Sequence, residues 1–186
     1  MKYEPLIEDS YYHIYNCGNN KENLFIDDDN YAYFLKLIKK HLLTTCDVLS
    51  YCLLKNHFHL LIKTKPNIES KIISQSFSNF FNAYSKAINK KYERSGSLFR
   101  DRFSRIKIGN EDYLKSLIVY VHTNPVHHGF TDNYESYKYS SYRATISNSP
   151  TLLLRDFVIG LFEDKKNFTY VHKTKESNLL NELVLE

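Results

Sequence analysis

The chain has 186 residues, of which 42% are hydrophobic and 15% aromatic, so it is long enough to fold as one domain around a sizeable core. No stretch approaches the length of an apolar membrane span, and no apolar run follows a basic N-terminal segment, so neither a membrane helix nor a signal peptide is expected. The formal net charge is +4, and the three cysteines lack CxxC spacing, which favours reduced thiols in a cytoplasmic protein.

Hydrophobic periodicity and turn residues predict strands and helices in a mixed order along the chain. We expect strands at 10–17, 47–54, 57–64 and 103–108, and helices at 27–43, 68–91, 111–123 and 152–162. The order strand, helix, strand, strand, helix, strand, helix indicates an α+β domain with a mainly antiparallel sheet.

Several boundaries are expected from single residues. In the second helix, Ile72 is expected to begin the buried stripe. The third helix should end before Pro125, because the residue preceding a proline avoids the helical region. Residues 134–143 are expected to form a loop, and the last dozen residues a loosely held tail.

Positive charge is concentrated in one part of the chain. Residues 86–107 contain eight Lys or Arg residues and two carboxylates, whereas residues 1–30 contain two lysines and seven carboxylates. A local excess of this kind suits a polyanionic partner such as nucleic acid, or a solvated basic surface. Charge alone leaves both interpretations open.

A histidine pair lies at the start of the third predicted strand. Because side chains alternate along a strand, His57 and His59 point to one face and Phe58 to the other, so the two imidazoles can reach one metal ion. Surface or hydrogen-bonded histidines are the commoner explanation of such a pair. Cys52 is expected on the opposite face, and no HExxH or PCxxC sequence occurs, so a zinc site is not expected.

Tyr120 and Asn124 are four residues apart near the end of the third predicted helix. This spacing puts a phenol and an amide one helical turn apart, where both could face the histidine pair. A core tyrosine and a helix-ending asparagine before Pro125 would give the same pattern. The spacing alone does not separate a catalytic from a structural role.

Four segments in this order resemble the REP-associated tyrosine transposases, within the HUH single-tyrosine transposase superfamily. They are YHIYN at 12–16 with Gly18, KNHFHLLI at 55–62, GSLFRDRF at 96–103, and YVHTNPV at 120–126 with Gly129, with a weaker fifth match in YSSY at 139–142. The resemblance implies a ferredoxin-like α+β domain with a central antiparallel sheet and helices packed on it, over residues 1–145. Residues 146–186 would then form a C-terminal extension, helical at first and then a flexible tail.

The same resemblance implies site residues and partners. Tyr120 falls at the catalytic nucleophile, and His57, His59 and Asn124 fall at the ligands of a divalent metal ion, Mg²⁺ or Mn²⁺. Manganese tolerates imidazole better than magnesium does. Single-stranded or hairpin DNA is the implied substrate of a monomeric enzyme. The expected DNA-binding residues are those of the basic stretch, with Phe99 or Phe103 stacking on a base: Arg94, Arg100, Arg102, Arg105 and Lys107.

Three functions fit these observations. The first is a metal-dependent DNA strand transferase that forms a covalent 5′-phosphotyrosine intermediate through Tyr120. The second is a nucleic-acid-binding module of the same fold without catalysis, in which the histidines are structural. The third is a metal-dependent phosphodiesterase that uses water as the nucleophile. Composition and charge do not separate the three.

Overall fold

The computed structural model describes residues 4–175 of the chain, which form a four-stranded sheet covered by helices on both faces. The strands are β1 (Tyr11–Cys17), β2 (Cys46–Leu54), β3 (His57–Thr64) and β4 (Ser104–Ile108). The helices are α1 (Asp28–His41), α2 (Ser70–Lys91), α3 (Glu111–His127), α4 (Tyr142–Ile146), α5 (Arg155–Leu161) and α6 (Lys165–Lys175). Short 3₁₀ turns lie at Asn19–Lys21 and Tyr134–Ser136.

The sheet has the strand order β2-β3-β1-β4, and all neighbouring strands are antiparallel. Together with α1 after β1 and α2 after β3, this is the βαββαβ arrangement of a ferredoxin-like domain. The predicted α+β class and ferredoxin-like architecture are therefore confirmed. β3 lies between β2 and β1, so its side chains are buried on both faces of the sheet.

Helices α1 and α2 pack together on one face of the sheet. A capping box begins α1, since Asp27 Oδ1 accepts from the Asn30 backbone N–H at 3.1 Å and Asn30 Oδ1 accepts from the Asp27 N–H at 3.3 Å. Aromatic residues of both helices and of β3 fill the space between the helices and the sheet: Phe34, Phe58, Phe77, Phe80 and Tyr84. Ile73 belongs to this core, whereas Ile72 is 53% exposed, so the predicted stripe of α2 was wrong at its first residue.

Helix α3 crosses the opposite face of the sheet and is buried on nearly all sides between residues 117 and 125. Contrary to the sequence expectation, it continues through Pro125 to His127. A proline this close to the helix end removes only the hydrogen bond to the Val121 carbonyl, and the last turn is closed by His128 N–H donating to Asn124 O at 3.1 Å. Burial of the whole segment then stabilises the helical conformation.

The C-terminal helices cover the outer side of α3. Val158, Phe162 and Phe168 share a hydrophobic cluster with Leu117 and Val121 of α3. The predicted loop at 134–143 contains a 3₁₀ turn and the first residues of α4, the predicted helix at 152–162 is α5, and α6 was not predicted. Of the predicted tail, the last dozen residues, the first is Lys175 at the end of α6, and 176–186 lie outside the described residues. The division at residue 145 stays a prediction. No helix in residues 4–175 is long and apolar enough to cross a membrane.

Candidate active site on helix α3

The histidine pair and helix α3 lie on the same face of the sheet. The Tyr120 ring is centred 5.6 Å from the His59 ring, edge to face, and the His128 ring is centred 4.7 Å from the His57 ring. Tyr120, Asn124 and His128 follow one another at intervals of one helical turn. Because the two outer members of this row contact the two histidines, Asn124 lies opposite the histidine pair.

Each histidine is oriented by a hydrogen bond to its Nδ1 atom. Asn56 Oδ1 can only accept a proton, so the 2.8 Å contact requires His57 to carry its proton on Nδ1 and leaves a lone pair on Nε2. His59 Nδ1 lies 2.9 Å from His13 Nε2, which can fix the same tautomer in His59. Such partners of the remote ring nitrogen are what orient histidines as metal ligands.

Burial favours the neutral form of His59 and His13. Desolvation, followed by the neighbouring His13, His57 and His128, holds the pKa of His59 well below its usual value. Desolvation also lowers the pKa of His13 to about 4. Neutral imidazoles are the form that binds a metal ion, so the site presents ligands that need no deprotonation near pH 7.

Two buried polar groups of this site have no hydrogen-bond partner among residues 4–175. Asn124 is fully buried, and neither its Oδ1 nor its Nδ2 atom is hydrogen-bonded there; the same holds for His59 Nε2. Leaving a buried polar group unpaired costs about 1–3 kcal/mol, so its persistence calls for a ligand that pairs with it. A divalent metal ion bound by His57, His59 and Asn124 would pair with His59 Nε2 and Asn124 Oδ1, and would leave Asn124 Nδ2 to a further acceptor.

The separation of the two rings is also compatible with one shared ion. Metal–nitrogen bonds of about 2.1 Å at an angle near 100° place two imidazole centroids about 5 Å apart. The His57 and His59 centroids are 5.2 Å apart and their planes lie at 88°. No three His, Cys, Asp or Glu side chains within residues 4–175 are grouped to hold a metal ion, so the candidate site depends on the amide of Asn124 as its third ligand.

The sequence expectation for Cys52 was wrong. Cys52 pairs directly with His59 across β2 and β3, so the two side chains lie on the same face. In a single continuous strand, residues an odd number of positions apart lie on opposite faces. Here a two-residue turn separates β2 from β3, and residues that pair across the turn lie on the same face. Burial raises the pKa of the Cys52 thiol well above its usual value, which disfavours the thiolate that a metal ion would need.

The five cations predicted to bind DNA occupy different environments. Arg94 is ion-paired with Glu22, and its Nη1 donates to Asn89 Oδ1 at 3.1 Å. Arg102 and Arg105 line the same cleft beside α2, and the Arg105 guanidinium lies 4.2 Å from the centroid of the Phe103 ring. Arg100 and Lys107 are exposed.

The two phenylalanines considered as stacking platforms are mainly core residues. Phe99 and Phe103 are both more than nine-tenths buried and belong to the cluster beneath α2. They also form part of the floor of the cleft beside α2, together with the partly buried Phe81. Little of either residue is therefore available to a ligand.

Three further residues contact the site, and two of them, His13 and Asn56, were not assigned a role from the sequence. His13 and Asn56 support the two histidines, and His128 packs on His57. Alternation places His13 on the same face of β1 as Tyr15, and pairing of β1 with β3 places Tyr15 beside His59. The signal for His13 therefore exists in the sequence, but it requires knowing which strands are neighbours.

Comparisons with solved structures support the fold. A structure described as the REP-associated tyrosine transposase bound to a REP hairpin is similar to this chain, with a TM-score of 0.65 and 16% identity over 81% of this chain and 88% of that one. A crystal structure described as a transposase from Deinococcus radiodurans R1 has a TM-score of 0.42 and 10% identity, covering 63% of this chain and 92% of the other, which is too weak to carry an argument. No curated protein matches the sequence significantly. At these identities the likeness concerns the fold alone.

The match to a family model is more specific. The model described as "Transposase IS200 like" matches residues 7–124, which is more than half of the 186-residue chain. The matched segment runs from the residues before β1 through the histidine pair to Tyr120 and Asn124. Helices α4, α5 and α6 lie beyond it. The chain therefore belongs to the IS200-like transposase family.

Proposed function

We propose that this protein is a metal-dependent strand transferase that cuts single-stranded DNA through a covalent bond between Tyr120 and the 5′ phosphate. The observation that carries the proposal is the convergence of Tyr120 and Asn124 from α3 with the histidine pair of β3. Membership of the IS200-like transposase family supports DNA processing as the general activity.

The reaction is a transesterification at phosphorus. Tyr120 Oη attacks, the bond from Oη to phosphorus forms, and the bond from phosphorus to the 3′ oxygen breaks. The phenol loses its proton and the leaving 3′ oxygen gains one, so no water is consumed. A second 3′ hydroxyl can attack the phosphotyrosine in reverse, which joins a new pair of strands without ATP.

The surrounding residues position the phenol and the phosphate. A phenol is mostly protonated at neutral pH and is a weak nucleophile, so orientation and charge stabilisation have to lower the barrier. The His59 ring packs against Tyr120 edge to face and limits its movement. His57, His59 and Asn124 would hold the Mg²⁺ or Mn²⁺ ion, which would stabilise negative charge on the non-bridging phosphate oxygens.

Hairpin DNA with a single-stranded flank is the proposed substrate. The neighbouring structure contains a REP hairpin. Arg100 and Lys107 are exposed, and Arg102 and Arg105 line an open cleft, which supports the proposal that these four residues contact phosphates. Arg94 would first have to leave Glu22. We propose that the enzyme acts as a monomer in the cytoplasm, where its three cysteines remain free thiols.

A covalent-adduct assay tests the proposal. The protein is incubated with end-labelled single-stranded hairpin DNA and Mn²⁺, and the products are separated on denaturing gels. The expected result is a protein–DNA adduct that is absent without the metal ion and absent in Tyr120→Phe. Tyr113→Phe, which changes a tyrosine two turns earlier on α3, is the matched control and should retain the adduct.

Two outcomes would favour the alternatives. Cleaved DNA without an adduct, persisting in Tyr120→Phe, would identify a phosphodiesterase that uses water. Binding without cleavage under every metal condition would identify a non-catalytic nucleic-acid-binding module.

A further inference from the structure

Helix α3 brings a further imidazole to the side of the helix that carries Tyr120. Because the helix continues through Pro125, its last residue is His127, seven positions after Tyr120. Seven residues make about two turns of a helix with 3.6 residues per turn, so both side chains project from the same side. The His127 ring is centred 6.2 Å from the Tyr120 ring. His127 therefore lies beside the proposed nucleophile.

One ring nitrogen of His127 is available as a proton acceptor. The Nε2 atom is buried and has no hydrogen-bond partner among residues 4–175, while the ring as a whole is only partly buried. A neutral imidazole has one N–H donor and one acceptor nitrogen, so His127 with its proton on Nδ1 offers Nε2 as the acceptor. The ring separation leaves room for a hydrogen bond of about 2.6–3.2 Å between Tyr120 Oη and this nitrogen. Partial exposure of the ring lets an acquired proton exchange with water.

Two other imidazoles beside Tyr120 have their acceptor nitrogens engaged. The His59 and His13 rings are centred 5.6 and 6.4 Å from the Tyr120 ring. When His59 donates from Nδ1 to His13 Nε2, the acceptor of His59 is the Nε2 atom that would bind the metal ion, and the acceptor of His13 is already used. His13 then carries its own proton on Nδ1 and cannot accept another while neutral. Of these three rings, His127 is the one that can receive the phenol proton.

The surroundings of His127 favour its neutral form. The titratable side chains that face it are Tyr120 and His128. From β3, His59 contacts Tyr120 and His57 contacts His128. Desolvation, followed by the neighbouring His128, lowers the pKa of His127 below its usual value. The imidazole is therefore mostly unprotonated near pH 7, which is the form that a general base needs.

We propose that His127 is the general base that accepts the Tyr120 proton when the phenol attacks phosphorus. This inference rests on the proposed function, because it assigns the destination of the proton released in that reaction. The bond from Oη to hydrogen breaks as the bond from Oη to phosphorus forms, and the proton moves to His127 Nε2. The leaving 3′ oxygen takes a proton from water, and the imidazolium returns its proton to the hydroxide so formed. In the reverse step, protonated His127 gives a proton to the departing phenol oxygen.

The pH dependence of adduct formation tests the proposal. His127→Gln can still form hydrogen bonds but does not titrate. Single-turnover rates at saturating Mn²⁺ should rise about tenfold per pH unit below the pKa of His127 in the parent protein and then level off. His127→Gln should be about 10²- to 10⁴-fold slower at neutral pH. Its rate should keep rising with pH, because the attacking group is then the free phenolate, whose pKa is near 10. The deficit of the variant should therefore shrink as the pH is raised.

Controls separate proton transfer from binding and folding. Imidazole added to the solution should restore part of the rate of His127→Ala, because it supplies the missing base. His41→Gln, which removes a histidine on the opposite face of the sheet, should keep the parent rate and pH profile. In a Tyr120→Phe background, His127→Gln should leave Mn²⁺ affinity in calorimetry and hairpin affinity in fluorescence anisotropy unchanged. Circular dichroism should show every variant folded.

The failure of this proposal is distinguishable from failure of the proposed function. An adduct that forms in His127→Gln at the parent rate, or a deficit that stays constant with pH, would overturn the role of His127 and leave the strand-transferase function intact. Weaker binding of Mn²⁺ or DNA by His127→Gln would make it a positioning or binding residue and also overturn the proposal. Absence of an adduct in the parent protein under every metal condition would remove the proposed function, and the role of His127 with it.

Discussion

The free energy of unfolding should fall as the pH is lowered from 6.5 towards 4, and the buried imidazole of His172 should account for a measurable part of the loss. His172 lies on α6 and is fully buried against α3 and α4. Desolvation by burial lowers its pKa from 6.5 to about 4. The titratable side chains that face it are His122, Tyr134 and Tyr142.

A directed chain of hydrogen bonds explains why the folded protein resists this proton. The Phe168 carbonyl can only accept, so His172 donates from Nδ1 at 2.8 Å and accepts on Nε2 from His122 Nδ1 at 2.9 Å. His122 Nε2 then accepts from the Ser141 hydroxyl at 2.8 Å, and Ser141 Oγ accepts from the Tyr51 backbone N–H at 2.8 Å. Protonating His172 on Nε2 would place two N–H groups against each other inside the core.

The sign and size of the effect follow from the two pKa values. Because the folded pKa is below the unfolded value, the unfolded chain binds more protons between pH 4 and 6.5, and stability is complete above this window and lost within it. The shift corresponds to roughly 3 kcal/mol at 1.36 kcal/mol per pKa unit. That is a large share of the roughly 5–15 kcal/mol that stabilises a typical domain.

Urea unfolding at several pH values measures the effect. His172→Gln removes the titratable group but can still donate and accept hydrogen bonds, so its stability should depend less steeply on pH between 6.5 and 4.5. His41→Gln is the matched control, because His41 is only partly buried at the end of α1 and should change the slope less. His13 and His59 remain in both variants and contribute the same background, whereas His122 contacts His172 directly, so the change of slope reports on this pair. Identical slopes for His172→Gln and the parent protein would refute the reasoning.

Two further predictions concern the residue that supports His59 and the turn that follows β1. His13→Phe should reduce Mn²⁺ affinity about 10- to 100-fold in calorimetry, because it removes the hydrogen bond that orients His59, and unchanged affinity would contradict this role. Gly18→Ala should destabilise the fold by about 1–3 kcal/mol in urea unfolding, because the added Cβ would lie 1.9 Å from the backbone oxygen of Glu22. Gly109→Ala is the control, because its added Cβ would meet no atom within 4 Å and so would cause no such clash. Equal stabilities for the two glycine variants would show that the turn can move aside.

Most of the fold could be predicted because local patterns and tertiary packing agree there. The apolar run of β3 predicts a strand that is buried, and the stripe of α2, apart from Ile72, describes the face that packs on the sheet. The histidine pair was placed correctly for the same reason, since the spacing of two fixes a shared face whatever lies around the strand. The identities of Tyr120 and Asn124 came from a family resemblance, and their position beside His59 required the tertiary structure.

The errors occur where a contact distant in sequence decides the outcome. Pro125 should have ended α3, but the helix is enclosed by the sheet on one side and α5 and α6 on the other, and this packing outweighs one missing hydrogen bond. Cys52 was assigned to the wrong face because the positions from Cys52 to His57 were counted as one continuous strand, although a turn follows β2. His13 received no role because only the pairing of β1 with β3 brings it to His59.

The packing around α3 also holds the residues of the candidate site in position. Tyr120 and Asn124 lie on the side of the helix that faces the histidine pair, and His122, about 200° around the helix from each, faces the C-terminal helices. The buried series of hydrogen bonds from Tyr51 to Phe168 therefore fixes the rotation of α3 about its own axis, from the side of the helix that faces away from the histidine pair. A small rotation would move the phenol and the amide together relative to His57 and His59. Residues beyond the matched family segment thus help to position the candidate site, because the helix that carries Tyr120 and Asn124 is held between them and the sheet.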